Sequence, residues 1–254
     1  MSETGRIGGR VAGVDGCPAG WIACVLDGGD PASAVIRLLP RIADLIAGDD
    51  RPLVTAIDMP IGLPDRIGSG GRGPERLVRP LLGERQSSVF SIPSRAAIFV
   101  GEGMDERDGY GAACRVALAT SDPPKKVSKQ GFHLFPKIRE LDRALTSEVA
   151  PFVFESHPEV AFMALNGGRA MGLPKKVKNR PNPPGLAERR GLLVGLGFAR
   201  AVVEGPPPRG AGPDDLLDAC VLALVAGRIV RGEARVWPDV PERDGRGLEI
   251  AMRA

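Results

Sequence analysis

Short apolar segments, separated by turn residues, follow one another through the first sixty positions of the chain. Their alternating or continuous apolar character predicts four strands, and a stripe formed by Ile42, Leu45 and Ile46 predicts a short helix before the fourth. A further apolar segment just after residue 150 is also typical of a strand. The predicted strands cover residues 11–15, 21–26, 34–39, 53–58 and 151–155.

The rest of the pattern is mainly helical. Residues 65–150 predict helices and irregular segments, with the clearest helix at 131–145. The last long helix begins at Pro213, a residue suited to a first turn, and runs to Val230. We therefore predict a single α/β domain over residues 1–254. It contains a five-stranded mixed sheet flanked by helices, with the helical insertion between the fourth and fifth strands.

Acidic side chains stand where three of the predicted strands end. Asp15 closes the first strand, Asp58 the fourth and Glu155 the fifth. If these strands are parallel, their carboxyl ends share one edge of the sheet, which is where such sheets bind ligands. An Asp-Gly pair such as Asp15 and Gly16 is also typical of an ordinary turn, and that structural interpretation stays open.

Acidic residues also begin the predicted last helix. Asp214 and Asp215 lie in its first turn, where carboxylates favour the helix dipole. Asp218 lies further along, among apolar neighbours, and three or four positions from the other two. Like charges at these spacings cost about 0.2–0.5 kcal/mol each, so we expect a cation nearby.

Two neighbours of Glu155 have simpler explanations. Ser156 and Glu159 have the spacing of a capping box, so Glu159 is interpreted as a helix cap. His157 precedes a proline at the start of the same helix, and a structural role is the preferred interpretation.

The net charge of +3 is unevenly distributed along the chain. Residues 61–203 contain 22 basic and 14 acidic side chains, whereas both ends of the chain are mildly acidic. Seven basic side chains and one acidic side chain occur in residues 169–190, where Pro and Gly are frequent. We predict a basic loop at about 169–185 that contacts phosphate, with an ordinary solvated loop as the alternative.

Cysteine and histidine usage limits the kinds of metal site. The four cysteines lie far apart without a Cys-x-x-Cys pair, and the chain has two histidines. This argues against zinc and favours reduced thiols in the cytoplasm. The sequence shows no secretory signal and no apolar run of membrane length, which supports the same expectation. Any metal should be a hard cation held by oxygens, Mg²⁺ or Mn²⁺.

Several short motifs, taken together, extend this picture over most of the chain. They occupy residues 14–21, 57–64, 87–95, 128–130, 136–140, 154–159 and 214–218. As a set they resemble the predicted ribonuclease-H-like nucleases known as the domain of unknown function 429 family. The resemblance implies the ribonuclease H-like fold.

By analogy with the Holliday-junction resolvases of that superfold, the resemblance also implies functional residues. The metal ligands would be Asp15, Asp58, Asp215 and Asp218. The catalytic carboxylates would be Asp15, Asp58, Asp218 and the nearby Glu155. Substrate binding is expected from the basic middle of the chain, with Gln130 included on the resemblance alone. The predicted substrate-binding residues are Lys129, Gln130, Lys137, Arg139, Lys175 and Lys176.

Converging carboxylates without a metal would repel one another and take up protons. With two Mg²⁺ or Mn²⁺ ions they form a two-metal phosphodiesterase site, so we predict hydrolysis of nucleic acid by metal-activated water. One alternative is a non-catalytic module that binds nucleic acid or protein on the same fold. A second is a kinase-like phosphate-binding protein, although such proteins need two halves of this kind and a Gly-rich adenosine site.

Overall fold

The computed structural model describes residues 7–178 and 180–254. Its strands are β1 (Arg10–Cys17), β2 (Gly20–Asp27), β3 (Val35–Leu39), β4 (Val54–Ile57), β5 (Val153–Glu155), β6 (Lys176–Val177), β7 (Arg180–Pro181), β8 (Val236–Arg243) and β9 (Glu249–Arg253). Its α-helices are α1 (Ala43–Ile46), α2 (Gly73–Val78), α3 (Arg95–Phe99), α4 (Glu106–Ala119), α5 (Lys129–His133), α6 (Phe135–Ala144), α7 (Pro158–Leu165), α8 (Pro183–Gly195), α9 (Arg200–Val203) and α10 (Pro213–Val230). No described helix is both long and apolar enough to span a membrane.

Strands β1 to β5 form one mixed sheet in the order β3-β2-β1-β4-β5. β1 and β2 are antiparallel because a tight turn between Cys17 and Gly20 reverses the chain, with Gly20 at a φ of 120°. β3 also pairs antiparallel with β2. β4 and β5 add in parallel beside β1. The predicted α/β class and five-stranded mixed sheet are confirmed, and the strand order agrees with the fold that the resemblance implies.

Helix α10 packs directly against β1, and Gly13 makes this close approach possible. A Cβ atom at Gly13 would lie 2.0 Å from the Ala223 nitrogen and 2.2 Å from the Ala219 carbonyl oxygen. No side chain fits in that space, so the helix backbone rests on the strand backbone. The face of the sheet toward which Gly13 points is hereafter the α10 face.

The described residues form two compact units, and the second contains most of the predicted helical insertion. The first unit contains the five-stranded sheet, α1 and α7 to α10, in residues 7–59, 144–235 and 253–254. The second unit combines the helical insertion, residues 60–143, with residues 236–252 near the C-terminus. Asp244 joins these two parts of the second unit, since its Oδ2 accepts the Leu63 N–H at 2.9 Å. The sequence pattern does not predict the hairpin β8–β9.

The clearest predicted helix, 131–145, is two helices. α5 begins earlier, because the Ser128 hydroxyl accepts the Gly131 N–H at 3.0 Å and caps it. α6 then begins at Phe135, with Pro136 in its first turn, where the N–H that proline lacks has no helical partner.

Candidate active site

Asp15 and Asp58 lie side by side at the carboxyl edge of β1 and β4. The parallel register pairs Val14 with Ile57, and the Asp58 N–H donates to the Val14 carbonyl at 2.9 Å. Each of the two acids is therefore the next residue after a paired position. Asp58 follows the end of β4 as predicted, whereas β1 continues to Cys17, so Asp15 lies inside its strand and pairs with Ile22 of β2.

Both carboxylates project from the α10 face. Side chains alternate along a strand, so Asp15 points to the same side as Gly13, and Asp58 is level with Asp15. Asp15 is buried, and its Oδ1 accepts the Gly16 N–H at 2.7 Å. The turn interpretation of Asp15 thus describes one of its contacts, while its position also brings it to α10.

The acids of α10 have different surroundings. Asp215 caps the helix, since its Oδ2 accepts the Gly212 N–H at 2.8 Å. Asp214 pairs with Lys176, whose Nζ lies 2.6 Å from its Oδ2. Asp218 is completely buried, and its Oδ1 has no hydrogen-bond partner among the described residues.

The ammonium group of Lys175 lies among these carboxylates. It donates a hydrogen bond to Asp218 Oδ2. Burial lowers the pKa of Lys175, but the charges of Asp218, Asp15 and Asp58 outweigh this and raise it above its usual value. Lys175 is therefore charged, and it supplies the cation that the acid spacing predicts.

The same surroundings raise the pKa of four carboxyl groups, those of Asp15, Asp58, Asp215 and Asp218. Burial raises the pKa of Asp15 well above its usual value, and repulsion from Asp58 and Asp218 adds to the shift. Burial raises the pKa of Asp58 to about 6 and that of Asp218 to about 7, although Lys175 opposes both shifts. Burial also raises the pKa of Asp215. One lysine does not balance this much buried negative charge.

Glu159 is a site residue that the sequence interpretation assigned to a cap. Its N–H donates to His157 Nδ1 at 3.2 Å, so His157 caps α7 and the expected capping box does not form. The Glu159 Oε1 atom accepts Arg189 Nη2 at 2.5 Å, while its Oε2 has no partner among the described residues. Its charge contributes to the raised pKa of Asp58. The sequence feature that could have identified Glu159 is its position four residues after Glu155, which ends β5.

By strand register, Glu155 lies on a different face of the sheet from Asp15 and Asp58. The register pairs it with Ile57, one position before Asp58. Because side chains alternate along parallel strands, Glu155 points to the sheet face opposite the α10 face. The register thus places Glu155 on the other face of the sheet from Asp15 and Asp58, and the charge of Glu159, from the following helix, acts on Asp58.

The predicted substrate-binding residues separate into two groups. Lys175 and Lys176 contact Asp218 and Asp214 in the first unit. The other four belong to the second unit: Lys129, Gln130, Lys137 and Arg139.

These four have different surroundings, and Lys137 is half-buried. Lys129 pairs with Glu106 at 3.2 Å, and Gln130 is exposed. Arg139 is buried and its Nε donates to the Ile98 carbonyl at 2.8 Å, which is a structural contact in place of the predicted phosphate contact.

The residues suit a hard cation by chemistry but are not assembled as a metal site. No three His, Cys, Asp or Glu side chains within the described ranges are grouped so that they could hold a metal ion. A lysine ammonium lies among the predicted metal ligands, and metal binding by these acids stays a prediction. The donors are nevertheless carboxylate oxygens, as Mg²⁺ and Mn²⁺ prefer, and Asp218 Oδ1 is buried without a hydrogen bond.

Comparison with known proteins identifies one family. A family model described as protein of unknown function (DUF429) matches residues 13–243. No curated protein and no solved structure matches the chain.

Proposed function

The chain belongs to the DUF429 family of proteins of unknown function, and we propose that it is a metal-dependent nuclease acting on nucleic-acid phosphodiester bonds. The main support is the convergence of Asp15, Asp58 and Asp218 in one place, where Asp15 and Asp218 are buried and Asp58 is half-buried. Each has a raised pKa because burial and repulsion from neighbouring carboxylates disfavour its charged form. Such an arrangement is costly to keep for stability alone, which favours a functional origin.

The scaffold would hold these groups in fixed positions. Asp15 lies in the hydrogen-bonded strand β1, and Asp58 is tied to it by its own N–H. Asp218 is fixed through the contact of α10 with Gly13. Mg²⁺ or Mn²⁺ would be held by Asp15, Asp58 and Asp218, with Asp215 beside them, and would activate water and stabilise the leaving oxygen.

Nucleic acid is the proposed partner because basic side chains adjoin the acids. Lys176 and Lys178 are exposed residues that directly follow Lys175. Phosphate contacts of this kind position a substrate without reading its sequence.

The test is cleavage of labelled single-stranded, double-stranded and branched DNA and RNA with Mg²⁺ or Mn²⁺. Asp15→Asn keeps the size of the side chain and removes its charge. We expect it to lower cleavage by more than about 100-fold, the upper end of the loss from disturbing a metal-site partner. The matched control, Asp27→Asn, changes an exposed acid at the end of β2 and should cleave like the wild type.

A non-catalytic module that binds nucleic acid remains the second candidate, because Lys175 already supplies positive charge to the acids. Wild-type protein that binds these substrates but cleaves none of them with either metal would favour that module. Equal cleavage by wild type and Asp15→Asn would exclude the proposed role of Asp15.

A further inference from the structure

Lys175 is placed where its ammonium is shared by several acids. It bonds Asp218 directly, and the charges of Asp15 and Asp58 act on it as well. These are the same three carboxylates that would hold a divalent cation. Only Asp218 Oδ2 is used by the lysine, and Oδ1 of the same group remains buried without a partner among the described residues.

The backbone that leads to Lys175 is held firmly. Glu188 Oε2 accepts the Leu173 N–H at 3.0 Å, and Arg189 Nη1 donates to the Leu173 carbonyl at 2.9 Å. The Asn182 N–H donates to the Lys175 carbonyl at 2.9 Å. A movement of the ammonium therefore needs only rotation of the side chain.

The Lys175 side chain is partly exposed to solvent. It is 25% exposed, whereas the Asp218 side chain is fully buried. A lysine is a flexible four-carbon stem with a strongly hydrated head, so its ammonium can exchange the acids for water or a phosphate. The backbones that carry the acids stay in the sheet and in α10, so only side-chain rotation is needed for the carboxylates to face a cation.

We propose that Lys175 is a built-in competitor of the metal, so that its ammonium and a divalent cation occupy the same three carboxylates in turn. When a cation is bound, the lysine side chain points to solvent, where a substrate phosphate can pair with it. This inference rests on the metal dependence of the proposed function but not on cleavage itself. If the lysine occupies the acids in about nine molecules of ten, it weakens apparent metal affinity about tenfold.

The experiment titrates Mn²⁺ into the full chain by calorimetry, at about pH 8 so that carboxylates are available as ligands. Lys175→Met keeps the length of the stem and removes the charge. We expect it to bind Mn²⁺ about tenfold more tightly than the wild type. Lys176→Met removes the same charge one residue away, where the lysine pairs with Asp214, and should stay within about twofold of the wild type. Lys175→Arg keeps the charge and should gain no affinity.

Thermal melting provides a second measurement. Lys175→Met should melt at a lower temperature than the wild type in chelator, because it leaves the acids without their cation. Mn²⁺ should restore its melting temperature, and adding Asp218→Asn should abolish that effect. A variant that Mn²⁺ does not stabilise, or that binds Mn²⁺ no more tightly than the wild type, overturns the proposal.

The two proposals can fail separately. If Lys175→Met gains Mn²⁺ affinity but no form of the protein cleaves, the competition between Lys175 and the metal is supported and the nuclease activity is contradicted. If the wild type cleaves with metal but Lys175→Met binds Mn²⁺ with unchanged affinity, the nuclease activity is supported and the competition is contradicted.

Discussion

Arg189 is completely buried, and it contacts both a buried glutamate and the segment that leads to Lys175. Its Nη2 bonds Glu159, the glutamate whose charge acts on Asp58. Its Nη1 bonds the Leu173 carbonyl, two residues before Lys175. A single side chain thus neutralises a buried acid and supports the segment that carries the resident cation.

Replacing Arg189 by Met should lower the free energy of unfolding by about 3–5 kcal/mol, because Glu159 is left as a buried charge without its partner. Adding Glu159→Leu to this variant should recover much of the loss. Urea denaturation measures both effects. The control is Arg200→Met, which breaks the exposed pair with Glu204 and should cost less than about 1 kcal/mol. Equal losses in the two single variants would show that the buried pair has no special role.

At the scale of elements, the hairpin β8–β9 depends on one aspartate. Asp244 Oδ1 accepts the N–H groups of Arg246 and Leu248, at 2.9 and 3.0 Å, and its Oδ2 accepts that of Leu63. Arg95 adds a charged contact at 3.3 Å. Burial raises the pKa of Asp244, but these hydrogen bonds outweigh burial and lower it below its usual value.

Asp244→Asn should therefore destabilise the protein by about 1–3 kcal/mol near neutral pH, since the new amide opposes the donors that faced the carboxylate. A carboxyl group with a lowered native pKa stabilises the fold above its unfolded pKa of about 3.9 and loses this effect as the pH falls through the native value. The difference between wild type and variant should thus be constant from about pH 6 to 8 and shrink below about pH 4. Urea denaturation across this pH range measures the difference, and a difference independent of pH would contradict the charged contact.

At the scale of the whole molecule, charge is concentrated in the middle of the chain. Residues 61–203 carry 22 basic and 14 acidic side chains. The basic segment that contains Lys175 and Lys176 adjoins the acids, and it holds the hairpin β6–β7 where a loop was predicted. Nucleic-acid binding should accordingly be electrostatic and weaken steeply with salt.

Lys178→Ala removes one exposed charge from this segment. In a plot of log affinity against log salt concentration, it should reduce the slope by nearly one unit, provided that the lysine contacts a phosphate. Fluorescence anisotropy with labelled DNA and RNA at several salt concentrations measures this slope. Arg41→Ala, an exposed basic residue near the N-terminal strands, should leave the slope unchanged. Binding that does not depend on salt would contradict the proposed phosphate contacts.

The sequence alone determined the features that depend on local physics. Apolar runs and turn residues predicted the strands β1 to β5 within a few residues, and α10 between its observed ends. An acid at the edge of a strand is visible in the sequence, so Asp15 and Asp58 were identifiable. Asp218 was identifiable because a charge among apolar helix neighbours needs a compensating partner.

Only the tertiary structure decided which of these residues meet. The pairing of Glu155 with Ile57 depends on strand register, and a shift of one residue reverses the face of every side chain. Lys175 reaches Asp218 across 43 positions of sequence, and Leu63 reaches Asp244 across 181. The pattern of apolar and polar residues does not predict contacts between residues so far apart in sequence, because such contacts result from the packing of distant elements. The spacing of the acids therefore predicted that a cation lies near Asp218. Only the fold decided that this cation is the ammonium group of Lys175.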